Sequence, residues 1–400
     1  MEKQNNRLIL VSGIFLLLQL LLDFIGTRLL DPQVDTIFIN VAKGIKLLFL
    51  VLMCRGLLKR KVYQPLYGAL ILGGMVLVGQ GVLYPSWKAI PWLTILREWM
   101  LYSGGISMAF FFQSLYLKAT PSTFSKALRL TLGVILVVCF SIILGLLFEI
   151  TLFKTYRGGM RFGYTGLLHK SAAATYFFIG SICLSFYYTH ILKIWNSWIF
   201  YFILGCSLLV GTKGIYLFNG LFILYMCWVN QGYKKKVFYL SILGATASII
   251  LLGISGVATQ SSTFQLFKSI YSEHGLLTSL MSFRNEIFVE KGTLYLEKWQ
   301  WENYFIGGKL PELGLFEMSL VDLYVFFGGF GLIYVLYLYY KSGIVLGMEP
   351  NTKQYLSFCY LSILIISIFV GQLFVNFSSI FFILWVLFLI NNGEMVKKID

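Results

Sequence analysis

The chain has 400 residues, of which 58% are hydrophobic and only 12% are charged, and its mean hydropathy is +0.79. Because a soluble domain carries about a quarter charged residues, this composition excludes an ordinary soluble protein and indicates a chain that crosses a membrane many times. The net charge of +15 does not indicate a nucleic-acid partner, because the basic residues stand singly or in short clusters between apolar runs and form no stripe that could follow phosphates.

Apolar runs long enough to cross a bilayer follow one another along most of the chain. A helical span needs about 17–25 mostly apolar residues. Such segments lie at roughly 8–26, 37–57, 66–84, 99–117, 128–149, 171–190, 195–211, 213–230, 236–256, 319–340, 355–371 and 373–391. The sequence therefore predicts an all-α polytopic membrane protein with about 12 transmembrane helices. The junctions at 211–214 and at Gly371 have almost no loop, so each flanking pair could instead be one bent helix.

Basic residues are distributed unevenly between alternate loops. The loops on the N-terminal side of the membrane carry most of them, including Lys59, Arg60 and Lys61 and the run Lys234-Lys-Lys236. The positive-inside rule places such loops in the cytoplasm. Both termini are therefore expected in the cytoplasm, and the long polar stretch after residue 256 is expected outside.

This orientation divides the chain into three parts. Residues 1–256 hold about nine transmembrane helices and a basic outer loop at 149–170. Residues 257–318 form one large extracytoplasmic loop, and residues 319–400 hold about three further helices and a cytoplasmic tail. Apolar residues recur at helical spacing within the large loop, so we expect one or two amphipathic helices lying on the outer surface.

The outer loop at 149–170 is basic, although short outer loops need few cations. It carries Arg157, Arg161, His169 and Lys170 among several glycines, and a helix is predicted to begin near Ser171. Cations beside a helix N-terminus form a site for anions, most naturally for phosphate. The alternative is that these side chains only meet anionic lipid headgroups at the outer leaflet.

Three lysines lie within or between apolar runs. Lys213 stands between two runs with no adjacent loop, and a cation is expensive in hydrocarbon unless it faces a cavity, a partner or the interface. We favour a polar cavity for Lys213, and the alternative is that it caps a helix junction at the outer surface. Lys43 and Lys46 lie one helical turn apart near one end of the second run, so we expect them to snorkel to the interface.

Three stretches resemble a known family in their order and spacing. The first is Arg161-Phe-Gly-Tyr followed by His169-Lys-Ser-Ala-Ala, and the second is Gly211-Thr-Lys-Gly214. The third runs from Ser282-Phe-Arg284-Asn-Glu through Ile306-Gly-Gly to Glu317-Met-Ser-Leu-Val-Asp322 and Gly328-Gly-Phe-Gly331. Together they resemble the O-antigen polymerase and ligase superfamily of bacterial envelope glycosyltransferases, and within it the Wzy-type polymerases that make capsular or exopolysaccharide.

The resemblance implies a GT-C-like helical glycosyltransferase in the bacterial cytoplasmic membrane. Such an enzyme would move a growing glycan from undecaprenyl pyrophosphate to a single lipid-linked repeat unit at the outer face, without a metal ion or other cofactor. Its partners would be the undecaprenyl-pyrophosphate-linked oligosaccharide, the lipid bilayer, a flippase and a chain-length regulator.

The implied chemistry gives a role to cations. The leaving group is a lipid pyrophosphate, whose developing negative charge needs positively charged side chains nearby. The candidates are Arg161, Arg284 and Lys213, with Arg157, His169 and Lys170 as further substrate-binding residues. Where the family usually has Arg at the second stretch, this chain has Lys213, which keeps the charge but loses the bidentate fork of a guanidinium.

The acceptor hydroxyl needs a general base, and a carboxylate within hydrogen-bond reach can serve. Glu317 is the first choice, and Asp322 and His274 follow, His274 also as a substrate-binding residue. Asp322 has an equally plausible structural role, because an acidic residue early in a helix complements the helix dipole.

Two other functions remain open. In the ligase branch of the superfamily a His-Asn pair stands near the start of the helix after the loop, whereas this chain has Glu317 there without a nearby His; this argues against a ligase. A lipid-linked oligosaccharide flippase would need cations along a central cavity and no large outer loop, so the length of 257–318 counts against it.

Overall fold

The computed structural model describes residues 2–26, 36–84, 86–156, 162–229, 262–344 and 350–395. Its helices are α1 (Glu2–Phe24), α2 (Thr36–Lys59), α3 (Gln64–Leu83), α4 (Trp92–Leu115), α5 (Pro121–Leu147), α6 (Ser171–Phe186), α7 (Ser197–Leu208), α8 (Lys213–Val229), α9 (Ser262–Met281), α10 (Arg284–Lys298), α11 (Trp301–Ile306), α12 (Ser319–Tyr339), α13 (Pro350–Phe369) and α14 (Phe377–Asn391). Turns of π-helix extend α6 to Ile191 and α12 to Ile344.

The helical class expected from the composition is confirmed. Six helices of the described ranges are long and apolar enough to cross a membrane, namely α1, α3, α5, α6, α12 and α13, with α6 and α12 counted together with the turns that extend them. Two shorter helices, α7 and α14, are also apolar. This is the architecture of a multi-pass helical membrane protein, in which each backbone polar group finds its partner within its own helix.

The prediction of about 12 crossings and the sides of the membrane stay predictions. The expected span at 236–256 lies outside the described residues. The two nearly loopless junctions each separate two distinct helices, because α7 ends at Leu208 before α8 begins at Lys213, and α13 ends at Phe369 before α14 begins at Phe377. Neither pair is therefore one bent helix.

Helices α6 and α14 form the centre of the bundle. Every residue of α14 from Ser379 to Ile390 is buried, as expected for a helix that is apolar on all sides. Phe177 of α6 stacks on Phe382 of α14 with ring centroids 4.4 Å apart. This close packing holds the N-terminal ends of both helices, which border the site described below.

The chain between α10 and α12 enters the bundle. α11 packs against both α3 and α12, and the residues that follow it, 307–310, are enclosed; we name them the buried turn. Asn303 donates from Nδ2 to the carbonyl of Gly79 at 3.0 Å and to that of Gly307 at 2.7 Å. A Cβ at Gly79 would lie only 2.4 Å from the Gly307 carbonyl oxygen, so this approach requires glycine.

A buried ion pair fixes the buried turn to α4. Nζ of Lys309 lies 2.5 Å from each carboxylate oxygen of Glu98, and the two side chains are only 5% and 16% exposed. Taking two charges out of water costs several kcal/mol for each ion, which only close mutual contact offsets. Each residue is therefore the obligatory counter-ion of the other.

Lys46 does not snorkel as expected from the sequence. Its Nζ lies 2.5 Å from Oδ1 of Asp23 on α1, and the other carboxylate oxygen of Asp23 accepts a hydrogen bond from the Ser378 hydroxyl at the start of α14. A carboxylate at the same membrane depth on a neighbouring helix can pair with a lysine inside the bundle. Asp23 thereby links α1, α2 and α14.

We expect Lys309→Met to destabilise the protein by about 3–5 kcal/mol, because it leaves Glu98 buried without a counter-ion. Adding Glu98→Leu removes both charges and should restore most of the lost stability. Thermal unfolding of the detergent-solubilised wild type, single variant and double variant measures both effects. A double variant that is no more stable than Lys309→Met would contradict the pairing.

Candidate functional site

One face of α10 lies along the segment 310–317, which contains a 3-10 turn at Pro311–Leu313. The contacts recur at helical spacing, so they all come from one side of the helix. They are Tyr295 with Leu310, Lys291 with Leu315, Phe288 with Phe316 and Arg284 with Glu317. Burial raises the pKa of the Tyr295 phenol, so its hydroxyl stays protonated, and its oxygen accepts a hydrogen bond from the N–H of Leu310 at 3.1 Å. The whole face therefore positions Arg284.

The contact at the end of this face joins two residues that the sequence predicted to be catalytic. Nε of Arg284 donates to the carbonyl oxygen of Glu317 at 3.1 Å, and Nη2 donates to its Oε2 at 3.4 Å. The side chain of Glu317 is 51% exposed and that of Arg284 is 24% exposed. The carboxylate is therefore oriented by the guanidinium and can still be reached by a ligand.

Glu317 is held in a backbone conformation that residues other than glycine rarely adopt, with φ +59°. Gly371, in the turn between α13 and α14, lies directly against it, because a Cβ at position 371 would be 2.4 Å from the Glu317 carbonyl group. A left-handed residue of this kind persists only where its surroundings fix it. The contact with Gly371 is one such constraint.

Lys213 lies on the other side of the same turn. It is the first residue of α8, and its Nζ donates to the carbonyl of Ser279, near the end of α9 and just before the turn that leads to Arg284. The next residue, Gly214, lies against the same turn, because a Cβ there would be 2.3 Å from the Val370 side chain. Lys213 therefore faces the end of α9, at the edge of the site.

Arg157 and Arg161, two predicted substrate-binding or catalytic residues, lie outside the described residues. The chain that follows them packs on the turn before Lys213, where the N–H of Tyr164 donates to the carbonyl of Leu209 at 2.8 Å. Phe162 and Gly163 therefore lie against the junction that carries Lys213.

The other two candidates of this outer loop lie at the start of α6. Nδ1 of His169 is 3.9 Å from the carboxylate of Asp23, so His169 belongs to the polar cluster that links α1, α2 and α14. Lys170 immediately precedes α6 and is exposed. The structure thus gives His169 a defined acidic neighbour and leaves Lys170 open to the surroundings.

His274, another candidate for the general base, lies beside the carboxylate of Glu286. Its Nδ1 lies 3.0 Å from Glu286, and its ring lies 5.0 Å from that of Phe283. His274 therefore helps to close the α9–α10 hairpin beside the turn that precedes Arg284.

Asp322 has a structural contact that explains its position. It is 6% exposed, and its Oδ1 accepts a hydrogen bond from the N–H of Phe316 at 2.7 Å. Its Oδ2 is buried without a hydrogen-bond partner among the described residues. Asp322 thus fixes the chain one residue before Glu317, which is a structural contact different from the helix-dipole role considered for it.

Lys213, Arg284 and Glu317 together form what we name the Glu317 site. It combines two cations, which suit the oxygens of a phosphate group, with a half-exposed carboxylate that can accept a proton. Over the ranges that the structure describes, no three His, Cys, Asp or Glu side chains lie close enough together to hold a metal ion.

Sequence reasoning missed the residues that hold this site together. Val370 and Gly371 stand at the end of an apolar run and read as part of a membrane span. The only signal was a glycine at a junction with almost no loop, which indicates a close approach of two backbones but does not say which backbone approaches. For Glu98, the sequence showed only a charged residue and did not indicate that Lys309 is its partner.

No protein-family model matches this chain, and no curated protein or solved structure is similar to it.

Two substitutions distinguish the structural role of Asp322 from a catalytic one. Asp322→Asn keeps an acceptor oxygen for the Phe316 N–H and places an amide donor at the unpartnered position, so we expect it to leave both thermal stability and activity close to the wild type. Asp322→Ala leaves that N–H without its partner and should cost about 1–3 kcal/mol. Thermal unfolding gives the stability, and an Asp322→Asn protein that is stable but inactive would show that the carboxylate is needed for the reaction.

Proposed function

We propose that the protein is a polymerase of lipid-linked oligosaccharide repeat units, acting at the outer face of the bacterial cytoplasmic membrane. The observation that carries the proposal is the contact between Arg284 and Glu317 beside Lys213, which combines a proton acceptor with cations for a phosphate group. The resemblance of the stretches around these residues to Wzy-type polymerases supplies the substrate class, an oligosaccharide on undecaprenyl pyrophosphate.

The reaction is a displacement at the anomeric carbon of the growing glycan. A hydroxyl oxygen of the incoming repeat unit forms a bond to this carbon, and the bond between the carbon and the pyrophosphate oxygen breaks. The leaving pyrophosphate keeps the electron pair, and the proton of the hydroxyl goes to Glu317. General-base assistance of this kind contributes about 10²–10⁴-fold to a rate.

The second requirement of the reaction is positive charge beside the leaving pyrophosphate. Arg284 and Lys213 would stabilise the charge that develops on the leaving pyrophosphate, and this electrostatic contribution is large where the groups are already in place. Arg161 is a further candidate, since Phe162, the next residue, lies against the junction at Lys213. The planar fork of Arg284 suits two phosphate oxygens at once.

The contact between Arg284 and Glu317 also links proton acceptance with stabilisation of the leaving group. The guanidinium donates to the side chain and to the backbone carbonyl of Glu317. When phosphate oxygens replace the carboxylate at Nη2, the carboxylate becomes free to accept a proton while the backbone contact through Nε can remain. The base would thus become available when the donor substrate is bound.

A ligase would use the same chemistry with a different acceptor, and a flippase would use none of it. The purified protein in detergent or vesicles is therefore supplied with lipid-linked repeat units, and the products are separated by size. A ladder of longer lipid-linked glycans is the expected result. Transfer to a different acceptor would identify a ligase, and a protein that gives neither elongation nor transfer would refute the proposal that it is an enzyme.

Arg284→Ala and Glu317→Ala should each reduce elongation by about 10²–10⁴-fold without loss of expression. We expect the same loss for Arg161→Ala. The matched controls are Lys298→Ala and Glu312→Ala, because these two residues form an ion pair of the same 3.4 Å length in the same part of the chain, and they should leave elongation unchanged. Normal chain length in all three site variants would refute the Glu317 site.

A further inference from the structure

The turn between α13 and α14 receives two hydroxyl groups from other parts of the bundle. The hydroxyl of Tyr176, fully buried in α6, donates to the carbonyl of Val370. The hydroxyl of Ser319, the first residue of α12, lies 3.4 Å from the same carbonyl and accepts a hydrogen bond from the N–H of Leu373 at 3.0 Å. Carbonyls at the end of a helix lack partners within the helix, and here side chains from two other helices supply them.

Val370 and Gly371, the first two residues of this turn, lie between the charged groups of the Glu317 site. The side chain of Val370 lies against Gly214, next to Lys213, and Gly371 lies against the backbone of Glu317. Neither glycine has space for a methyl group, so the turn is in close contact with the Glu317 backbone on one side and, through the Val370 side chain, with the start of α8 on the other. A shift of the turn would move the carboxylate relative to the cation.

We propose that the Val370-Gly371 turn is the positioning element of the Glu317 site and that Tyr176 is a positioning residue which acts through it. The turn sets the separation between Lys213 and Glu317, and Tyr176 holds the turn in place through the Val370 carbonyl. This geometric role does not depend on the reaction, while its effect on turnover rests on the proposed polymerase function.

Tyr176 is well placed for such a role. Phenylalanine would fill the same space in an apolar helix, so the hydroxyl adds only the hydrogen bond to Val370, and a buried hydroxyl without a partner is costly. The guanidinium of Arg284 is also close enough to Tyr176 to act on it electrostatically. The Tyr176 hydroxyl is therefore connected to the site through the Val370 carbonyl.

The geometric role is tested by thiol labelling, without any substrate. Cys54 and Cys227, the two cysteines that are not buried, are changed to Ser, and Glu317→Cys is introduced and labelled with a membrane-impermeant maleimide. Gly371→Ala should push the Glu317 backbone away from the turn, and Tyr176→Phe should loosen the turn, so each should make labelling at position 317 several-fold faster. Glu312→Cys, equally exposed in the same segment, should label at an unchanged rate.

Matched control variants separate a local effect from general loosening of the bundle. Tyr188→Phe removes a buried tyrosine hydroxyl that donates to the Leu389 carbonyl at 3.0 Å, and Gly393→Ala inserts a methyl group 2.4 Å from the Tyr187 ring. Both should leave labelling at position 317 unchanged. Unchanged labelling in Tyr176→Phe, the milder of the two test variants, would overturn the proposal even if Gly371→Ala failed to fold, and so would equal acceleration in the controls.

The elongation assay then connects the geometry with the reaction. In the protein with Glu317 intact, Gly371→Ala should lower kcat by up to about 100-fold with little change in KM, because small misplacements of reacting groups cost rate more than binding. Tyr176→Phe should have a smaller effect in the same direction, and Tyr188→Phe none. If labelling behaves as expected but the wild type makes no glycan ladder, the polymerase function is wrong and the positioning role stands.

Discussion

The contact between the Val370-Gly371 turn and its neighbours is the constraint on which the rest of the site depends. Glycine at position 371 lets the turn touch the backbone of Glu317, and glycine at position 214 lets Val370 touch the start of α8. Because Gly371 touches the backbone of Glu317 and Gly214 touches the Val370 side chain, the positions of a carboxylate and a cation are both set by close contact with this turn. Flexible side chains would give looser control of the same distance.

The polar stretch before α12 contributes to the site in two different ways. Helix α10 is docked along 310–317 by one face, and this docking delivers Arg284 to Glu317. Helix α9 reaches the bundle at its C-terminal end, where Lys213 bonds to the Ser279 carbonyl. Asp322 fixes the chain from the other direction, through the N–H of Phe316. The position of Glu317 is thus determined by α10, by α12 and by the α13–α14 turn together.

Two ion pairs that are largely buried connect helices in the parts of the chain described. Lys309 and Glu98 fix the buried turn between α3, α4 and α12, and Lys46 and Asp23 link the first two helices. Such pairs stabilise less than their contact distance suggests, since both ions lose their hydration. They define, however, which helices are neighbours, because a mispaired helix would leave a charge without a partner in an apolar environment.

The sequence alone determined the helical membrane class, because the scarcity of charge and the length of the apolar runs allow no other solution. It also offered Arg284 and Glu317 as candidates, through the resemblance of the stretches that carry them to motifs of a known family. It did not show that they touch, that Lys46 turns inward to Asp23, or that Lys309 is buried against Glu98. Those outcomes depend on which helices are neighbours and at what depth, and hydrophobic periodicity carries no information about the identity of a neighbour. Only the tertiary structure could place Gly371 against Glu317. A glycine in a sequence can indicate that another part of the backbone approaches closely, but only the fold shows which part it is.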